Sequence, residues 1–263
     1  LKKDVPGNLF NAMINPLIPY AIRGTIWYQG EANAVYPGAA RYSEQLETMI
    51  RDWRSRWKEN FPFAWVQLPE FEPRTEMGRR GWVIVREQML EALKIPRTGM
   101  AVTLGLGDAE NVHPPKKRGV GERLARWALA EVYHSDNIPR TGPRPAGHEI
   151  GNGKVTVTLD CPNGGLTFRG DDGAQGFMIA GRDRNWVKAE ADIAGNRVVV
   201  SSPEVPHPAA VRYAWAANPA FSLVDAAGLP APPFRTDTWQ YPQQLPVKHE
   251  EDVPEIRIPA RKD

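Results

Sequence analysis

Two short polar stretches hold the side chains of this chain whose types and spacing could do chemistry. The first closes the run Gly24-Thr25-Ile26-Trp27-Tyr28-Gln29-Gly30-Glu31-Ala32-Asn33, where apolar residues stop abruptly at an amide, a glycine and a carboxylate. A side-chain amide such as Gln29 at a strand end can donate to a developing oxyanion, worth about 2.7–4 kcal/mol where such donors have been removed. Glu31 can serve as a base, a substrate anchor or an acceptor for buried backbone; a carboxylate at a tight turn favours the last. The second stretch, Asp108 to Pro114, follows the apolar run Met100 to Leu104 and contains His113. An imidazole with an unperturbed pKa near ~6.5 exchanges protons at neutral pH, which suits a general base. Position alone gives equal standing to a histidine that merely hydrogen-bonds its loop. Glu110, three residues earlier, has the spacing to accept the Nδ1 proton and fix the tautomer; Asp108 is the runner-up, and either could instead cap the turn or the following helix. Asn111 stands where a further acid could have been. No glycine-flanked serine is present to serve these groups as a nucleophile.

The remaining signals are weaker. His134, His148, His207 and His249 lie in linker, β-rich or tail contexts, and no His-x-x-x-His or Cys-x-x-Cys pair points to zinc. Gly151-Asn152-Gly153-Lys154 lacks the Ser/Thr and first glycine of a phosphate loop, and Gly105-Leu106-Gly107 lacks the third glycine of a dinucleotide fingerprint. A net charge of +2 argues against a nucleic-acid or acidic-membrane partner, and Lys116-Lys117-Arg118 reads as a solvated helix start. The single Cys161 allows no intrachain disulfide. No apolar stretch approaches the roughly 20 residues that span a bilayer. Leu1-Lys2-Lys3 opens the chain without a methionine, which is expected of an interior point in a longer protein.

The elements that must position these groups alternate in type. Ala21 to Tyr28, Phe63 to Leu68 and Met100 to Leu104 read as strands. Tyr42, Leu46, Met49, Ile50, Trp53 and Trp57 share one helical face; Trp82 to Leu93 and Val120 to Tyr133 read as two more helices. This β-α-β-α-β-α order predicts a doubly wound parallel sheet, whose ligands bind at the carboxyl ends of the strands. Three strands are few for such a sheet, so the missing ones are expected to precede Leu1. Proline, glycine and polar residues from Ser135 to Gly147 predict a linker. Beyond it, Val155 to Leu159, Phe177 to Ala180, Arg197 to Val200 and Val211 to Ala216 predict a β-rich, sandwich-like region ending near Asp237. The expected division is therefore 1–140, 141–237 and an extended tail over 238–263.

Several ordered motifs resemble one family. These are Asn11-Ala12-Met13-Ile14, Trp27-Tyr28-Gln29-Gly30-Glu31-Ala32-Asn33, Met49-Ile50-Arg51-Asp52-Trp53-Arg54 and Val66-Gln67-Leu68. His113-Pro114 with Gly119-Val120-Gly121-Glu122-Arg123-Leu124-Ala125 follow, then Val211-Arg212-Tyr213-Ala214-Trp215, Gly228-Leu229-Pro230-Ala231 and Phe234-Arg235-Thr236-Asp237. Together they resemble the SGNH-type sialate O-acetylesterases of carbohydrate esterase family six. The resemblance implies serine-ester chemistry on an O-acetylated carbohydrate, without metal or organic cofactor, in a secreted or periplasmic protein. It implies His113 as general base, Gln29 as the oxyanion-hole amide, and Glu31 and Asn33 on the substrate side. The family's nucleophilic serine lies in an earlier Gly-Gln-Ser-Asn-like block; Ser43, Ser55, Ser135, Ser201, Ser202 and Ser222 lack that context. Many relatives carry an aspartate two residues before the histidine, where this chain has Asn111, which makes Glu110 the preferred triad acid. The chain alone is thus expected to be inactive and to need the N-terminal part of its parent. Two rivals remain: a non-catalytic carbohydrate-binding module with tryptophan platforms, and a glycoside hydrolase pairing Glu31 with Glu110 about 5–9.5 Å apart.

Overall fold

The computed structural model describes residues 5–35 and 37–240; most of the expected tail, residues 241–263, lies outside them. Three parallel strands, β1 (Thr25–Trp27), β2 (Phe63–Val66) and β3 (Thr98–Ala101), pair in the order β1-β2-β3. Trp27 lies opposite Trp65, and Trp65 opposite Met100. Successive side chains of a strand point to opposite faces, and the core divides accordingly. Phe63, Trp65 and Met100 pack with helices α2 (Tyr42–Trp57) and α3 (Glu76–Glu91) on one face. Ala64, Val66 and Ala101 pack with Val120, Leu124 and Trp127 of α4 (Lys117–Glu131) on the other. The result is the expected three-layer α/β/α arrangement.

Local rules explain each helix. α2 buries Tyr42, Leu46, Ile50 and Trp53 on one stripe and ends at Lys58, whose φ of 53° is left-handed. Thr75 caps α3 by accepting from the Gly78 amide at 3.1 Å. Gly99 lies in β3 where the Trp127 indole crosses the strand; a Cβ there would fall 2.0 Å from Trp127 Nε1.

β1 is shorter than the run from Ala21 to Tyr28 predicts and stands at the edge of the described sheet. Its Ile26 is 65% exposed. Val5, Leu9, Met13, Leu17, Tyr20 and Ile26 supply six of the nine large apolar side chains exposed among the described residues. These exposed apolar side chains are concentrated between residues 5 and 26.

The second half is antiparallel. β4 (Arg144–Gly151), β5 (Lys154–Asp160), β6 (Leu166–Phe168), β7 (Phe177–Ala180), β8 (Trp186–Lys188), β9 (Glu190–Ala194) and β10 (Arg197–Ser201) come first. β11 (Ala210–Tyr213), β12 (Leu223–Asp225) and β13 (Phe234–Arg235) complete it. They form sheets ordered β4-β5-β10-β9 and β13-β11-β7-β8, with β12 and β6 as a pair. β4 corrects the predicted linker, because residues 144–147 already belong to it, across a bulge at Pro145. One contiguous apolar cluster runs from Ile50 and Trp65 through Val157 and Val198 to Tyr213 and Phe234, so both halves share a core.

Candidate active site

Parallel pairing puts the carboxyl ends of β1, β2 and β3 on one edge, and both polar stretches leave from it. The first turn is clamped from below. Gly30 has φ of 150°, and a Cβ would sit 2.8 Å from Met89 Cε and 3.2 Å from Val85 Cγ1, so only glycine lets the turn sink onto α3. Helix α1 (Glu31–Val35) begins at the next residue. The approach of α3 is closer still at Gly81, where a Cβ would lie 1.6 Å from the Ala34 carbonyl oxygen.

Side chains then fix the turn. The Tyr42 hydroxyl donates to the Gln29 main-chain carbonyl at 2.8 Å, with Gln29 Oε1 at 3.1 Å. Gln29 Nε2 donates to Asn33 Oδ1 at 2.7 Å, and Asn33 Nδ2 donates to Gln45 Oε1 at 2.8 Å. An amide nitrogen carries two hydrogens, so the bond to Asn33 orients Gln29 while leaving it a second donor. Burial pushes the Tyr42 phenol up to about 12; a hydrogen bond involving Trp27 opposes this, and the Glu31 charge adds to it. Burial and then Glu31 raise Tyr28 likewise to about 12. Both phenols are protonated at neutral pH.

The β2 end lies between the two polar stretches and carries residues that the sequence reading passed over. Arg86, fully buried on α3, donates to the carbonyls of Leu68 (2.7 Å), Pro69, Ala216 (2.7 Å) and Ala217 (2.9 Å). Burial lowers this guanidinium to about 10, opposed by the charge of Glu70, and it remains a cation at neutral pH. Glu70, also buried, accepts from the amides of Gly105 and Gly107, the latter at 2.9 Å. Its carbonyl accepts from the Asp108 amide at 3.0 Å, and the Glu72 amide donates to the Ala109 carbonyl at 2.9 Å. Gly107 permits this contact, since a Cβ would lie 2.4 Å from Glu70 backbone. The β2 loop therefore grips the loop that carries His113. An acid directly after a buried run, in Leu68-Pro69-Glu70, was the available signal.

Beyond Gly107 the loop is self-braced. Asp108 Oδ1 accepts from the Glu110 amide at 2.9 Å, and Asn111 Oδ1 accepts from the His113 amide at 2.9 Å. These are Asx turns, which shape backbone locally. Pro114 is buried and anchors the far side, while His113 and Glu110 are exposed. Among the described residues no hydrogen bond reaches the imidazole from Glu110 or Asp108. The structure thus brings Gln29, Asn33 and Glu31 together on one turn and holds His113 on the same sheet edge, without pairing His113 to an acid.

With this geometry in view, the relatives are informative. Residues 5–130 match the family of carbohydrate esterases described as sialic acid-specific acetylesterases. The sialate O-acetylesterase of Mus musculus is 29% identical over 255 residues, covering 86% of this chain and 46% of its own length. That of Homo sapiens is 27% identical over 252 residues, covering 86% and 48%. The chain resembles the sialate O-acetylesterases. A carbohydrate acetylesterase from Xanthomonas citri, known as a crystal structure, superposes with a TM-score of 0.84 at 41% identity, over 88% of this chain and 54% of its own. The chain spans about half the length of the relatives it matches.

Proposed function

We propose that the chain is the histidine-bearing half of a carbohydrate O-acetylesterase. The observation that carries this reading is the delivery of the Gln29 turn and the His113 loop to one carboxyl edge of a parallel sheet. In the proposed reaction a serine hydroxyl passes its proton to His113 as its Oγ bonds to the acetyl carbonyl carbon. Gln29 donates its free N–H to the resulting oxyanion. Collapse breaks the bond to the sugar oxygen, which takes the proton back from the imidazolium. Water, deprotonated by His113, then releases acetate and restores the serine. Glu110 is the preferred partner for imidazole Nδ1, and Glu31 and Asn33 face the substrate.

The serine comes from the N-terminal part of the parent protein, so the chain alone is inactive. The local settings of its own serines support this. Ser43 donates to Gln88 on α3, Ser222 accepts from the Gln175 amide, and Ser202 accepts from Glu204. Ser55 lies on α2, Ser201 ends β10, and Ser135 follows α4. The exposed β1 edge and the apolar side chains from Val5 to Ile26 are the surface that the missing part would cover.

Acetate release from an O-acetylated sugar and from p-nitrophenyl acetate tests the reading. The longer protein should turn over both, its His113→Ala variant should lose about 10²–10⁴-fold or more, and this chain alone should be silent. Activity of this chain alone, or a fully active His113→Ala parent, would overturn it.

A further inference from the structure

A cleft of about 410 Å³ lies between α3 and the β-rich half, within the roughly 300–1,000 Å³ of small-molecule sites. Its walls combine two indoles, Trp215 and Trp239, with the arginines Arg79, Arg80, Arg212 and Arg235. Each arginine has a carboxylate partner. Arg79 faces Glu72 at 3.5 Å, Arg80 pairs with Glu76, Arg212 bonds Asp237 at 2.8 Å, and Arg235 bonds Glu87 at 2.7 Å. In each of these four pairs a carboxylate offsets the guanidinium, so a phosphate or carboxylate gains little net attraction from them. Sugar hydroxyls both donate and accept, and such paired groups offer them N–H donors and carboxylate acceptors side by side.

The aromatic walls are braced by neighbouring side chains. Arg212 and Arg235 each stand 5.5 Å from the Trp215 ring, Arg184 stands 5.1 Å from Trp239, and Trp186 meets Trp239 edge-on at 5.6 Å. Indoles fixed in advance lose little freedom on binding and present flat apolar area to the C–H face of a pyranose ring. The cleft also adjoins the esterase edge. Glu72 lines it, while the Glu72 amide donates to Ala109, four residues before His113.

We infer that this cleft is a binding subsite for a neutral pyranose unit of a carbohydrate chain whose acetylated residue lies at the His113 edge. The choice of sugar rests on the esterase reading, but binding at the cleft does not require turnover. Isothermal titration calorimetry of the full chain with xylohexaose, mannohexaose and maltohexaose, and with trigalacturonate as the anionic comparison, tests it.

At least one neutral oligosaccharide should bind with a dissociation constant near ~1 mM, and Trp239→Ala should weaken it about tenfold or more. Arg80→Ala removes a half-exposed surface side chain, keeps the fold by circular dichroism, and should weaken the same ligand. Absence of heat with every neutral oligosaccharide, tighter binding of trigalacturonate, or undiminished binding in both variants would overturn the inference. Binding that appears only after residues 241–263 are deleted would overturn it too, because the tail would then be the natural occupant. Oligosaccharide binding in a protein whose longer form releases no acetate would sink the esterase reading and leave this subsite standing.

Discussion

Replacing Glu70 should loosen the histidine loop without unfolding the protein. Its carboxylate accepts from Gly105 and Gly107, and a hydrogen bond to a charged group contributes about 1.5–3 kcal/mol. Glu70→Gln keeps one acceptor oxygen and turns an NH₂ toward the other amide, so one of the two bonds is lost. With tenfold for every 1.4 kcal/mol, that amide should exchange its hydrogen about 10–100 times faster. Glu70→Ala removes both bonds, and both amides should accelerate by about that factor. The Asp108 amide donates to the Glu70 main-chain carbonyl, which neither substitution removes, so it serves as an internal control. Native-state hydrogen exchange followed by NMR resolves the three amides. Wild-type exchange at both glycines in Glu70→Ala would refute the reasoning, and so would equal acceleration of every amide in the protein, which would report global destabilisation instead.

Other consequences can be measured directly. Gly81→Ala would drive a methyl into the Ala34 carbonyl, and the overpacking should cost about 3 kcal/mol or more, read as a lower thermal midpoint. Burial raises the Asp237 carboxyl, but the hydrogen bonds and charges of Arg212 and Arg235 outweigh it, and its pKa lies below the ordinary 3.8. A depressed carboxylate stabilises the fold above its unfolded pKa and ceases to do so as pH falls through the folded value. Urea midpoints of the wild type should therefore drop steeply below about pH 4, and those of Asp237→Asn should start lower and fall less. In the longer protein Gln29→Ala should reduce acetate release by about 10²–10³-fold in kcat. The apolar side chains from Val5 to Ile26 should bind a hydrophobic dye in this chain and not in the longer protein; equal dye binding in both would count against a covered face.

What was legible in the sequence was local. The stripe Tyr42, Leu46, Ile50, Trp53 marks α2, and the run Phe63 to Leu68, between Pro62 and Pro69, marks a central strand buried on both faces, which in the structure pairs over Phe63–Val66. β1 was overdrawn because Ala21 and Ile22 extend the apolar pattern upstream across Arg23 and Gly24, yet three of the four residues 21–24 are exposed and only Thr25–Trp27 pair. β4 was hidden by the proline and glycine of Pro145-Ala146-Gly147, which the strand accommodates at a bulge. At the site, Gln29 and His113 were visible because each follows an apolar run. Glu70 also follows such a run, but its role was not legible, since its partners lie 35 and 37 residues away, and Arg86 reaches Ala216 and Ala217 across 130 and 131 residues. Pairings of that separation leave no periodic trace.

Those bonds of Arg86 have a mechanical consequence. One guanidinium joins the β2 loop to the segment after β11 through four carbonyls, at the centre of a shared core. An appended module on a tether would swing and gather substrate by raising its local concentration. Here α3 acts as an axle seized in its bearings: the β-rich half cannot pivot on it without stranding a buried cation. Whatever that half holds is offered to the sheet edge at one set angle, as a workpiece in a jig.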